Sequence, residues 1–301
     1  MSKAIDLELH SRRQFLQLSG VTLLGISGLA TGLPDLPLSQ GRTLEALPVY
    51  RARHLRSPVV TQLWPDSIVA ILGVSGAWYQ VPDGYVPRSL VQPMMPFQPR
   101  TDEADPTIPF WAEVAGPVAP VRQWCAADAP FVTRIGHGGV ARVIDSLPGE
   151  PGGPRWYGIA SHAGDLLGWT QAVHWRSVNI EPVTAPGQTL HIDTQTLTLT
   201  AFGDSQAVLC APVSIPGRIE AGTRVILERR MSHRPLYLPG EAQPFHGAPW
   251  NIQMSDNTEL TGVYWHNRFG TIVAGPAIQT TPLLARWLYS WLGDDATIIV
   301  D

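Results

Sequence analysis

Cys125 and Cys210 are the only thiols in the 301-residue chain, so thiolate chemistry has two candidate nucleophiles. Neither sits in a motif that would activate it. Cys210 lies between Leu209 and Ala211 in a strand-like segment, the setting of a small buried hydrophobe. The two form no metal-type spacing; at most they make one disulfide, which sequence leaves open. Ser161-His162-Ala163-Gly164-Asp165 brings a hydroxyl, an imidazole and a carboxylate into one short run. Adjacent strand residues point to opposite faces, so Ser161 and His162 would not meet, and Gly164-Asp165 reads instead as a hairpin turn between Trp156 and Trp169. The densest remaining block is Gly262-Val263-Tyr264-Trp265-His266-Asn267-Arg268-Phe269-Gly270, with His233 upstream. Two readings stand for its histidines. They line a peptide groove together with Tyr264, Trp265, Asn267 and Phe269, or they are packed and capping residues. No metal or organic cofactor is implied.

Composition indicates the elements that must position these groups. Gly and Pro number 28 each, and the stretches between them are rich in Val, Ile, Thr, Trp and Tyr, as short strands joined by tight turns would be. The expected fold class is mainly β, in two or three compact units that each bury a core. The net charge is −4, Lys3 is the only lysine and no basic run follows the first 15 residues, so nucleic-acid binding has no electrostatic support.

Ser11-Arg12-Arg13-Gln14-Phe15-Leu16 leads into an apolar stretch, Leu16 to Ala30, diluted with Gly and Ser and too short to span a bilayer comfortably. Residues 1–32 resemble a twin-arginine export signal, cut after Ala30 or two residues later. The resemblance implies export by the twin-arginine route to the cell envelope, with the membrane as a partner only through this segment if it stays uncleaved.

Apolar residues alternate over residues 48–93, with turn residues at regular intervals, as in a small barrel. A second unit at 111–180 repeats its ending. Trp78-Tyr79-Gln80-Val81 and Gly84-Tyr85-Val86 correspond to Trp156-Tyr157-Gly158-Ile159 and Gly168-Trp169-Thr170. Residues 94–110 read as the linker. The repeated pattern resembles the bacterial SH3-like domains attached to cell-wall enzymes, which implies two small barrels. Their aromatics form either a groove for peptide or glycan or the core of each unit.

In the last part, 188–301, His191 through Phe202 alternates as one strand, and Gly203-Asp204 turns the chain into a second strand, Ala207 to Val213. Thr281 can cap a helix whose first turn holds Pro282 and whose Leu284, Leu288 and Trp291 share a face. Gln195-Thr196-Leu197-Thr198, Ala201-Phe202, Gly222-Thr223, Arg229 through His233, Gly247-Ala248-Pro249-Trp250, Gly262 through Gly270 and Thr281-Pro282 together resemble the L,D-transpeptidase catalytic domain. That family cross-links peptidoglycan stem peptides through a cysteine acyl-enzyme. The resemblance implies a β-rich domain with a short C-terminal helix and a Ser-His-Gly-Cys centre between Gly270 and Thr281.

Here that centre reads Ala274, Gly275, Pro276 and Ala277, and the family's upstream His falls on Thr261. Acyl transfer needs a sulfur nucleophile, a group that stabilises its ionised form and N–H donors for the oxyanion. A methyl at 277 has no lone pair, glycine at 275 offers no base, and proline at 276 removes an N–H. The expectation is an exported, non-catalytic relative that holds a peptidoglycan stem peptide or a cell-wall protein, an active paralogue among the candidates. The alternative is an active transpeptidase or amide hydrolase working through residues not recognised in the sequence.

Overall fold

A computed structural model describes residues 40–96, 106–180 and 188–301. The twin-arginine segment and most of the 94–110 linker lie outside them. Among the described residues the chain is mainly β, with one α-helix.

The first unit runs from β1 (Gln40–Thr43) through β2 (Leu47–Tyr50), β3 (Val59–Leu63), β4 (Ile68–Val69), β5 (Gly73–Ser75), β6 (Trp78–Val81) and β7 (Gly84–Pro87) to β8 (Val91–Met94). It thus takes in residues upstream of position 48, because β1 pairs with β8. Two sheets, ordered β4-β1-β8 and β3-β2-β7-β6-β5, enclose a core of Leu47, Val49, Tyr79, Val81, Val86 and Val91.

The second unit is one seven-stranded sheet. Its strands are β9 (Phe110–Val114), β10 (Val118–Arg122), β11 (Phe131–Gly136), β12 (Val140–Leu147), β13 (Trp156–Ala160), β14 (Leu166–Gln171) and β15 (Trp175–Ser177).

The repeat seen in the sequence is also a repeat of register. Trp78, Tyr79 and Val81 face Pro87, Val86 and Gly84, as Trp156, Tyr157 and Ile159 face Gln171, Thr170 and Gly168. Each hairpin leads through a 3₁₀ turn, Arg88–Leu90 or Ala172–His174, into a last strand that pairs with the first strand of its own unit. The glycine of each motif has the same task. A Cβ on Gly84 would strike the Tyr50 carbonyl, and one on Gly168 the Arg122 carbonyl, so the hairpin closes onto its neighbouring strand only with glycine there. Tyr79, Trp156, Tyr157 and Trp169 are buried while Trp78 and Tyr85 are half-buried, so most of the repeat's aromatics are core.

The last unit is an eight-stranded sheet ordered β18-β17-β16-β23-β19-β20-β21-β22. These are β16 (Thr189–Asp193), β17 (Thr198–Gly203), β18 (Gln206–Pro212), β19 (Gly222–Ser232), β20 (Pro249–Met254), β21 (Glu259–Gly262), β22 (Ala277–Thr280) and β23 (Thr297–Val300). The single strand expected from His191 to Phe202 is in fact a hairpin. Asp193 Oδ1 accepts the Gln195 and Thr196 amides and Leu197 takes φ +56°, which reverses the chain and puts Gln195 to Leu197 in a turn. Alternation alone carries no sign of that turn. The second turn falls at Asp204 and Ser205, both at positive φ, and β18 follows.

Helix α1 (Pro282–Trp291) starts as expected, with Thr281 Oγ1 accepting the Leu284 amide at 3.1 Å. It lays Leu284, Leu288 and Trp291 on the sheet core, and Trp287 stacks on Trp291 at 4.8 Å.

Polar clamps join the units. Arg42 Nε binds Asp66 at 2.6 Å, while its NH1 donates to Gln92 Oε1 and to the Tyr264 carbonyl, each at 3.1 Å. Gln92 passes the link to the His137 carbonyl at 2.9 Å. Buried Glu113 receives Arg286 of α1 at 2.8 Å and Arg176 at 3.0 Å.

Candidate functional site

Residues 274 to 277, the positions at which the sequence resemblance expects a Ser-His-Gly-Cys centre, lie where the loop after Gly270 enters β22. Ala274 and Pro276 are exposed, Gly275 is half-buried and Ala277 has no exposed surface. Strand β22 pairs in parallel with β21, Ala277 beside Glu259 and Gln279 beside Thr261. Paired residues share a sheet face, so Leu260 and Ile278 go to the apolar core while Glu259, Thr261, Ala277 and Gln279 form the opposite, polar face. The other edge of β22 is held by Ser214, which exchanges two backbone bonds with Gln279 at 2.9 and 2.7 Å.

Gln279, 1% exposed, organises this face. Its Oε1 lies 2.6 Å from His266 Nε2, and its Nε2 donates to the Ala274 carbonyl at 3.4 Å. His266 Nδ1 accepts the Arg268 amide at 3.2 Å, which leaves the ring hydrogen on Nε2, where Gln279 takes it. Burial lowers the His266 pKa, the nearby Arg268 charge adds to this, and the Gln279 bond opposes it, so the ring is neutral near pH 7. A Cβ on Gly275, at φ +140°, would come within 2.7 Å of Gln279 Nε2. Gln279 therefore fills the space that a side chain at 275 would need.

His233 and Glu259 form a second buried pair on this face, 3% and 4% exposed, with Nε2 to Oε2 at 2.5 Å. His233 Nδ1 faces the Arg234 carbonyl at 2.6 Å, so both ring nitrogens have a polar partner. Burial pushes the Glu259 carboxyl upward, but the His233 bond and the charges of His233, Arg234 and Arg230 outweigh it and hold the pKa below the usual range.

The other candidate contacts are spread over two interfaces. Thr261 is buried and donates to the Pro249 carbonyl at 3.2 Å. Tyr264 is buried, donates its hydroxyl to the His246 carbonyl at 2.6 Å and gives its own carbonyl to Arg42. Burial raises its pKa. Trp265 stacks on Phe245 at 4.5 Å, and Phe269 lies 5.1 Å from His266. Asn267 donates to the Arg88 and Val91 carbonyls of the first unit at 2.9 and 2.8 Å. The structure thus brings His266, Phe269 and Ala274 to Ala277 together, pairs His233 with Glu259 beside them, packs the Tyr264 ring into the core of the second unit with its carbonyl on Arg42, and turns Asn267 toward the first unit. Gln279 and Glu259 were not read as site residues from the sequence. The available signal was period two from Ala277 and from Thr261 on buried strands.

The remaining groups offer little chemistry. Cys125 and Cys210 are free and half-buried, and burial, aided by Asp145, raises the Cys125 pKa. Ser161 caps a turn: its Oγ accepts the Ala163 amide, and its own amide donates to the Asp165 carbonyl. Among the described residues no group of three or more His, Cys, Asp or Glu is placed to hold a metal ion.

No protein-family model and no curated protein matches the chain. Among solved structures it is similar to an L,D-transpeptidase of Enterococcus faecium, at 13% identity and TM-score 0.32, over 40% of this chain and 50% of that one. An L,D-transpeptidase of Stackebrandtia nassauensis gives 16% identity and TM-score 0.32, over 41% of this chain and 58% of that one. One from Mycobacterium smegmatis gives 13% and 0.34, over 63% and 99%. The chain thus spans between half and three-fifths of the first two.

Proposed function

We propose that this protein is a non-catalytic relative of the L,D-transpeptidases, exported to the cell envelope, where two SH3-like units and a degenerate transpeptidase-like domain hold peptidoglycan stem peptide or a cell-wall protein without cutting or joining it. The observation that carries the reading is Ala277: a buried methyl on a polar sheet face, flanked by Gln279 in the space next to Gly275. A methyl cannot attack a carbonyl, and a neutral imidazole already bonded to a side-chain amide has no thiol to activate.

Surface left for binding is the exposed ridge Ala274 to Pro276 and the segment over it. There Leu238 reaches Gly275 and the neighbouring Tyr237 is 77% exposed, an aromatic suited to a peptide contact. The test is retention of the protein on purified peptidoglycan. Retention that falls on Tyr237→Ala supports the reading, and no retention contradicts it. A second reading, an active transpeptidase or amide hydrolase built on the buried His233–Glu259 pair beside Ala277, requires a covalent adduct, a cross-linked product or a hydrolysed peptide when stem-peptide donor and acceptor are supplied.

A further inference from the structure

Seven of the seventeen exposed large hydrophobic residues among the described residues fall between Leu55 and Val74, all in the first unit. Leu55, Val59, Val60 and Trp64 are 68%, 57%, 47% and 73% exposed, and they lie along β3 and its two flanks at the free edge of the five-stranded sheet. The β2–β3 loop is basic as well as apolar. Arg51, Arg53 and Arg56 are exposed on it, and no acidic residue occurs between Glu45 and Asp66. Asp66 is itself occupied by Arg42 and Arg134.

This corrects the expectation of no basic run past residue 15. Interspersed apolar residues hide the run in sequence, and a tight loop gathers it. Buried Ser57 accepts the Ala52 amide at 2.9 Å and donates its own amide to the His54 carbonyl at 3.0 Å, while Arg51 N binds the Pro58 carbonyl at 2.9 Å. Arg53 is braced by Ser75 and lies over the Tyr85 ring, whereas the Arg51 and Arg56 side chains have no hydrogen-bond or ion-pair partner among the described residues.

We propose that this edge is a peripheral contact with an anionic lipid surface. Arginines whose stems lie along apolar groups pair with lipid phosphates, while Leu55, Val59, Val60 and Trp64 enter the headgroup boundary. A soluble acidic polymer would pair with the arginines but leave the aliphatic groups and Trp64 in water. A bilayer interface covers both. The proposal is independent of the peptide-binding reading and of the N-terminal segment.

The test is flotation of the full chain with vesicles of phosphatidylglycerol and phosphatidylcholine, compared with phosphatidylcholine alone. The expected result is salt-sensitive partition onto the anionic vesicles that falls about tenfold or more on Arg51→Gln with Arg56→Gln. It also falls on Leu55→Ser with Trp64→Ser, and it is unchanged by Trp124→Ser, an exposed tryptophan of the second unit. All five positions are exposed, so the thermal midpoint of each variant stays that of the parent. Equal partition of parent and arginine variant overturns the proposal, as does equal binding to both vesicle types. Self-association lost on the same substitutions, with no vesicle binding, assigns the edge to a second copy and also overturns it.

Discussion

His266 gives its Nε2 hydrogen to Gln279 Oε1 at 2.6 Å, and this bond ties the loop after Tyr264 to the strand that begins at Ala277. Gln279→Leu keeps the volume but leaves the His266 donor buried without a partner. The expected cost is ~1–3 kcal/mol of stability, read as a lower thermal or urea midpoint. An unchanged midpoint would mean that the loop is held by other contacts.

The His233–Glu259 pair predicts a defined acid response. The folded carboxyl is held below its ordinary 4.5, so its contribution is present above that value and is lost as pH falls from about 4.5 through the folded-state pKa. Glu259→Gln removes this part of the acid limb. Near pH 7 it also costs about 3 kcal/mol, because His233 loses its buried carboxylate partner. Urea titrations of parent and variant at stepped pH measure both effects.

His137 lies under the first unit, its Nδ1 donating to the Ala115 and Gly116 carbonyls at 3.2 and 3.1 Å. Burial drives its pKa from 6.5 to about 4, against the pull of Glu113. The unfolded chain therefore binds the proton more readily. The stability that the neutral ring provides is complete above pH 6.5 and is lost as pH falls toward 4, by roughly 3 kcal/mol. His137→Asn keeps an N–H donor and flattens the urea midpoint across that window.

Arg42 joins Asp66, Gln92 and the Tyr264 carbonyl from a buried position. Arg42→Met leaves the Tyr264 carbonyl and Gln92 Oε1 without this donor and Asp66 with Arg134 alone, so that Asn267 is the remaining polar tie between the first unit and the 263–270 loop. About 3 kcal/mol of stability is lost, and limited proteolysis cuts between the first and second units sooner than in the parent.

Much of this was legible in the sequence because local rules dominate where they were applied. The Thr281 cap, the Gly84 and Gly168 hairpins, the Asp204 turn and the mainly β class all follow from turn and capping chemistry that needs no distant partner. The hairpin inside 191–202 was missed because a polar turn with Asp193 at its head preserves the alternation of the flanking strands. At the site, spacing alone placed Ala274, Gly275, Pro276 and Ala277 between Gly270 and Thr281. The contacts of Gln279, Glu259 and His266 around them were not legible, since they join segments set in place only by the β21–β22 pairing. Nor did sequence show that Asn267 and Tyr264 serve the interface with the first unit, which depends on Arg42 and Arg88 far upstream.

On the proposed reading, no atom of this domain forms an acyl bond to substrate. The most direct measurement is the intact mass of the protein after incubation with a stem-peptide donor, with and without acceptor. An unchanged mass and no cross-linked peptide are expected, for the parent and for Ala277→Cys, in which the new thiol has Gly275 and Pro276 beside it and Gln279 against Gly275. A mass increase equal to the donor's acyl group on the parent protein would contradict that reading.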